Sequence, residues 1–286
     1  MLALPIIGFV VFAVYPQLWT FKWAFFNYDG IPSNTEFIGL DNFKKFFVLD
    51  FSYWRYWWQT IRYALIKVPV ELSLALFLAV VINQKFIRCK GFFRAMFYAP
   101  VVVSGVVVSV IFTNLFGYFG VINDWLIKLS IMKEGYDWFS TTLGATAVLI
   151  ISSTWNTFGI NVLYFIAALN NVPKDCYESA YLDGANSCQV FFKITLPLIT
   201  RVFRIILLLS ILGTLGIGEF IITLTGGGPG GTTQTVNSYI VKAFVPGFAE
   251  SSPAIGYGCA LSVITTIIYS AIGILYHKFS SKQDCV

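Results

Sequence analysis

Six stretches of mostly apolar residues divide this chain, at 2–26, 57–83, 91–117, 142–170, 198–224 and 255–279. A helix needs about 20 such residues to cross the hydrocarbon of a bilayer. In lipid, a helix satisfies every backbone N–H and C=O within its own segment, which an open strand cannot do. The expectation is an all-α polytopic membrane protein with six transmembrane helices, the whole of 1–286 forming one transmembrane domain. Composition agrees: 12% of residues are charged, against about 25% in soluble domains. The mean hydropathy is +0.74. Trp19, Trp23, Trp54, Trp57 and Trp58 suit an aromatic belt near one interface.

Lys and Arg in short connections set orientation. One set of connections and the C-terminal tail carry Lys85, Arg88, Lys90, Arg94, Lys174, Lys193, Arg201, Arg204, Lys278 and Lys282. The alternate set holds Lys44, Lys45, Arg55, Lys128, Lys133 and Lys242, diluted by acidic residues. The first set is therefore expected in the cytoplasm, with both termini. The chain opens on apolar sequence without the charged start and small-residue cleavage site of a signal peptide.

The net charge of +5 does not point to nucleic acid, because the cations sit at the ends of apolar runs and form no stripe. The cysteines, Cys89, Cys176, Cys188, Cys259 and Cys285, are odd in number and lack CxxC spacing. They suggest neither a disulfide framework nor a zinc site. His277 is the only histidine and builds no metal site alone. No cofactor or metal is expected in this chain.

The external segments 27–56, 118–141 and 225–254 are polar. The cytoplasmic segment 171–197 is long and amphipathic and opens with Val172-Pro173. Proline suits a first helical turn, and Asp175 and Glu178 complement the positive end of a helix. Gly184 can end that helix in a left-handed conformation. The expectation is two short surface helices joined by a sharp turn, with Pro197 at the start of the fifth span.

Within that segment lie Glu178-Ser179-Ala180, Asp183-Gly184-Ala185, and Ile194-Thr195-Leu196-Pro197. This resembles the EAA loop of binding-protein-dependent ABC importer permeases, with Ser179 where the family usually has alanine. Leu224-Thr225-Gly226-Gly227-Gly228-Pro229-Gly230 is similar to the segment after the fifth span in the sugar-importing, MalF-like branch. Phe37 to Phe43, Gly91 to Arg94 and Phe165 to Leu169 extend the resemblance over nearly the whole chain.

The resemblance implies a bacterial plasma-membrane assembly of two permease subunits, two ATPase subunits and an external solute-binding protein, importing sugars or oligosaccharides. ATP and Mg would be bound by the ATPase subunits. Glu178, Ser179, Ala180, Asp183, Gly184, Ala185, Ile194 and Pro197 would then couple this chain to an ATPase subunit, Glu178 by charge-assisted contact and Gly184 by permitting the turn.

The Gly-rich run lacks the Gly-Lys-Ser/Thr ending of a phosphate loop and reads instead as an external turn. Polar residues inside spans are candidates for the solute path. Ser153, Asn156 and Thr157 have the i, i+3, i+4 spacing of one helix face, beside Trp155. Ser210 and Thr214 are one turn apart. These residues, with Glu219, are the expected path, their hydroxyls, amide and aromatic face suiting a carbohydrate. The competing reading is interhelical hydrogen bonding among small polar residues. Lys67 and Glu71, four apart, are expected to pair within their helix, and Gly213, Gly216 and Gly218 to allow close packing or a local break. A secondary transporter is disfavoured because neither internal repeats nor an intramembrane charge network is evident. A membrane enzyme is disfavoured because no cluster of His, Cys or carboxylates lies at membrane depth.

Overall fold

The computed structural model describes residues 3–31, 33, 35–84, 86–247 and 254–282. Leu2, Lys85 and Cys285 lie outside them. The elements, in chain order, are α1 (Ala3–Trp23), a two-stranded hairpin of β1 (Phe26–Asn27) and β2 (Glu36–Phe37), α2 (Asp41–Val48), α3 (Phe51–Asn83), α4 (Lys90–Val102), α5 (Gly105–Leu115), α6 (Val121–Lys128) and α7 (Thr142–Asn170). There follow α8 (Lys174–Leu182), α9 (Ser187–Leu215), α10 (Glu219–Leu224), α11 (Val236–Phe244) and α12 (Ile255–Lys282).

Helices α1, α3, α7, α9 and α12 are each long and apolar enough to cross a membrane. The third expected span is not one straight helix. It is α4 and α5, bent by 94° at Val103 and Ser104, both of which have extended ψ angles. Pro100 removes a donor from the last turn of α4, which favours a stop there.

The fifth span also departs from expectation. Its helix begins at Ser187 rather than near 198 and is already over at Leu215. Pro197 is therefore inside a continuous helix rather than at its start. The missing proline N–H is absorbed by a π-helical turn at Phe191–Thr195, where Leu196 N–H reaches the Phe191 carbonyl. The chain then breaks at Gly216–Gly218 before α10, as the glycines suggested.

The main core lies between α3, α7 and α9. Val68, Leu72, Ala75, Ala79 and Ile82 follow the 4-3-4-3 spacing of a coiled-coil seam along α3 and meet Phe158, Val162, Phe165 and Ile166 of α7 and Ile199 and Ile206 of α9. Helix α4 crosses α7 at Gly159, where a Cβ would stand 1.9 Å from the Phe97 carbonyl oxygen. Only glycine permits that approach. A second core, around Val108, Phe112, Leu149 and Ile221, seats α5 and α10 against α7. By contrast, the first helical turns of α1 bury nothing, and Leu4 and Phe12 are 82% and 83% exposed. Such a face is stable only against lipid or another apolar chain.

Candidate translocation cavity and coupling loop

A cavity of about 820 Å³ opens between α3, α7, α9, α11 and α12, bounded by both helix breaks. Ser153, Asn156, Thr157, Ser210, Thr214 and Glu219 all line it. Trp155 does not. Residue 155 lies about 200° around the helix from Ser153, so its ring points away and packs 5.6 Å from the Phe112 ring, half-exposed on the outside of the bundle. Its place in the expected path is a correction.

The cavity wall is organised by a closed polar network. Lys67 Nζ donates to Glu71 Oε2 at 2.5 Å, to Thr157 Oγ1 at 3.2 Å and to Thr214 Oγ1 at 3.3 Å. Glu71 Oε1 accepts from Thr157 Oγ1 and from Asn161 Nδ2, each at 2.8 Å. Asn161 Nδ2 also donates to Ser210 Oγ at 3.1 Å. The Lys67 and Glu71 side chains are only 3% and 2% exposed. The pairing read from the sequence is present, and it also ties α3 to α7 and α9. Burying two charges is costly unless they are paired and their remaining bonds are made, and here both conditions hold. Asn161 was missed, although Ser153, Thr157 and Asn161 recur every four residues and mark one stripe of α7.

Both breaks have their freed carbonyls capped from across the cavity. Asn156 Nδ2 donates to the Pro100 carbonyl at 2.8 Å and the Val103 carbonyl at 3.4 Å. Tyr269 Oη donates to the Leu215 carbonyl at 2.7 Å, and Thr235 Oγ1 to the Ile217 carbonyl at 2.9 Å. Irregular backbone at membrane depth is tolerated where it is satisfied by protein or lines a wet cavity. Glu219 projects from the first turn of α10 and is exposed to the cavity.

On the opposite side of the bundle from the hairpin, α8 ends in a Schellman motif. Ala185 N–H reaches the Ala180 carbonyl at 3.0 Å, Gly184 N–H reaches Tyr181 at 3.1 Å, and Gly184 has φ +76°. Asn186 then opens α9 with a reciprocal capping box to Gln189, both bonds 2.9 Å. These two caps fix a sharp corner. Ser179, Ala180, Asp183, Gly184, Ala185 and Ile194 surround a cleft of about 460 Å³ beside it, with Gln189 and Lys193. Glu178 is exposed on the outer side of α8 and Pro197 is further along α9, so neither borders the cleft. Thr195 Oγ1 donates to Tyr177 Oη at 3.3 Å, tying α8 to α9. Leu182 is 89% exposed and Tyr181 58%, an apolar edge with no cover among the described residues.

At the hairpin end, Asp50 is a tie-point. Its carboxylate caps α3 by accepting from Tyr53 N–H at 3.0 Å, and it accepts from Tyr257 Oη at 2.7 Å and Tyr239 Oη at 3.1 Å. Burial, then the Asp50 charge, pushes the Tyr239 phenol above its usual range. Among the described residues no group of His, Cys, Asp and Glu is arranged to hold a metal ion.

Residues 71–281 match the family described as the inner membrane component of binding-protein-dependent transport systems. The chain is 34% identical over 281 residues to the probable ABC transporter permease protein YesP of Bacillus subtilis, covering 96% of this chain and 87% of that one. It is 28% identical to AraP, the arabinooligosaccharides transport system permease protein of the same organism, covering 97% and 86%. A crystal structure of a bacterial ABC transporter involved in import of the acidic polysaccharide alginate contains a chain of the same fold, with TM-score 0.82, 23% identity, and coverage of 99% and 94%. With its apolar helices, its broken spans and the cavity they enclose, this chain belongs to the family of inner membrane components of binding-protein-dependent transport systems, and is a transporter permease subunit rather than an enzyme.

Proposed function

We propose that the chain forms half of the pathway of an ATP-driven importer of sugars or oligosaccharides. It would pair with a second permease subunit, two ATPase subunits and an extracytoplasmic solute-binding protein. The observation that carries this reading is the cavity lined by Ser153, Asn156, Thr157, Ser210, Thr214 and Glu219, set beside a similarity to permeases such as the arabinooligosaccharide one. Hydroxyl, amide and carboxylate groups converging on a partly apolar cavity suit a polyhydroxylated solute.

The chain lies in the bacterial plasma membrane with both termini cytoplasmic, by the Lys and Arg bias of the connections. ATP and Mg are bound by the ATPase subunits. Ser179, Ala180, Asp183, Gly184, Ala185 and Ile194 receive an ATPase subunit at the cleft, and Glu178 flanks that contact from the exposed side of α8. Pro197 acts at one remove, through the π-helical turn that precedes it. Binding of nucleotide and of loaded binding protein shifts the populations of inward- and outward-open states by differential affinity for them.

The test is ATPase activity of the purified complex, with and without binding protein and candidate oligosaccharides, for the wild type and for Gly184→Pro. Turnover that rises with loaded binding protein and collapses in the variant, while the ATPase subunits stay bound, supports the reading. If no ATPase subunit co-purifies and uptake follows an ion gradient, the reading fails.

A further inference from the structure

The charged residues bordering the cavity are Lys67, Glu71 and Glu219. The sole cation among them is fully engaged: all three Lys67 ammonium protons have partners, at Glu71, Thr157 and Thr214. Glu71 is equally committed, through Lys67, Thr157 and Asn161. The pair is neutral as a unit, and Glu219 leaves the lining with a net negative charge. A carboxylate, sulfonate or phosphate on a solute entering this cavity meets no available cation among the described lining residues of this chain. It meets the Glu219 carboxylate in a partly desolvated space, where like charges repel strongly. A hydroxyl meets a different surface. Thr214 Oγ1 and Ser210 Oγ each accept a bond from the network, from Lys67 and Asn161 respectively. Their own protons are thereby left to donate to a neutral solute oxygen.

We propose that Glu71 makes this cavity selective for uncharged saccharides against anionic ones, by neutralising Lys67, which would otherwise be a ready anion site. The inference rests on the saccharide reading above and deepens it. The same fold serves an importer of an acidic polysaccharide, so the selection against charge must come from side chains rather than from the architecture. Glu71 is a specificity-determining residue in this scheme, and it acts through the charge state of the pair.

The experiment measures equilibrium binding to the intact permease–ATPase complex in lipid nanodiscs, without binding protein. The probes are the alditols of lactose, maltotriose and arabinotriose, each paired with the corresponding aldonate, which carries a carboxylate in place of the terminal hydroxymethyl group. For the wild type, the neutral member of a bound pair binds tighter by about tenfold or more, the order expected for a like charge met in a partly desolvated site. In Glu71→Gln the ratio falls to within about threefold or inverts, because an anionic solute can then take the place of the missing carboxylate beside Lys67. In Lys67→Met the ratio stays or widens. A merely structural role for Glu71 would weaken both members alike and leave the ratio unchanged. The proposal is overturned if the wild type binds both members equally, or if Glu71→Gln preserves the ratio. If Glu71→Gln does not assemble, the reversed pair Lys67→Glu/Glu71→Lys replaces it, and a ratio that collapses in that neutral pair overturns the proposal. If no neutral probe binds and none stimulates ATP hydrolysis with any binding protein, the saccharide reading itself fails. Binding of neutral probes without discrimination fails the present inference alone.

Discussion

Asn156 holds the Pro100 carbonyl at 2.8 Å, so a side chain on α7 completes the hydrogen bonding of a helix that stops halfway across the bundle. Pro100 is buried, and without the amide its carbonyl keeps only the Val103 N–H, at 3.2 Å. Asn156→Leu should lower stability by about 1 kcal/mol, the net worth of one lost hydrogen bond. Thermal unfolding of the purified complex reads this directly, and an unchanged Tm would show that the break needs no cap.

The closest backbone approach in the core gives a sharper contrast. Gly159→Ala puts a methyl group 1.9 Å from the Phe97 carbonyl oxygen, so α4 and α7 must separate. The expected cost is about 3 kcal/mol or more, seen as loss of complex from detergent extracts. Gly213→Ala meets nothing within 4 Å and should leave the extracted amount unchanged or raised, since alanine is the better helix former by about 1 kcal/mol.

Gly184 tests backbone conformation without crowding. A Cβ at this position would meet no atom within 4 Å, yet φ is +76°. Gly184→Ala should therefore cost about 1–2 kcal/mol through the left-handed conformation alone. Gly184→Asn should cost less, because asparagine visits that region more readily. The order Gly, Asn, Ala in ATPase turnover stimulated by loaded binding protein would follow from the corner geometry. An order set by side-chain size would contradict it.

The Asp50 tie-point makes a pH prediction. Tyr257→Phe removes a hydroxyl that donates to a carboxylate at 2.7 Å, a bond worth about 1.5–3 kcal/mol. Tyr239 is held above its ordinary value of 10.0 by burial and by Asp50. Its contribution is full below pH 10 and is lost as pH rises through the raised value. Thermal stability measured upward from pH 9 should fall more steeply in the wild type than in Tyr239→Phe.

Most of the architecture was legible because the bilayer imposes a length on every apolar run. The corner between α8 and α9 was legible because Gly184 and the acidic first turn of α8 are local signals, and the Lys67–Glu71 pair because four-residue spacing fixes proximity on a helix. What escaped reading depended on neighbours. Pro100, Ser104 and Gly105 announce a stop, but the 94° bend is sustained by Asn156, more than fifty residues away. Trp155 adjoins Asn156 in sequence, whereas successive residues on a helix diverge by 100°. Asn161 stood in plain view one turn beyond Thr157, and only the carboxylate of Glu71 on another helix shows what it is for. Pro197 followed the ordinary rule for helix starts, and the π-helical turn before it allowed the helix to run through.

From Ser187 to Leu215 the backbone continues for 29 residues without interruption, about 43 Å of axis. One end borders the cleft beside Gly184 and the other carries Ser210 and Thr214 into the cavity. A rod of that length swung by about 10° at its foot moves its far end on the order of 7 Å, more than the rise of one helical turn. The break at Gly216 ends the rod at the cavity wall, so a small rotation at the base can widen one mouth without dragging the opposite rim along with it.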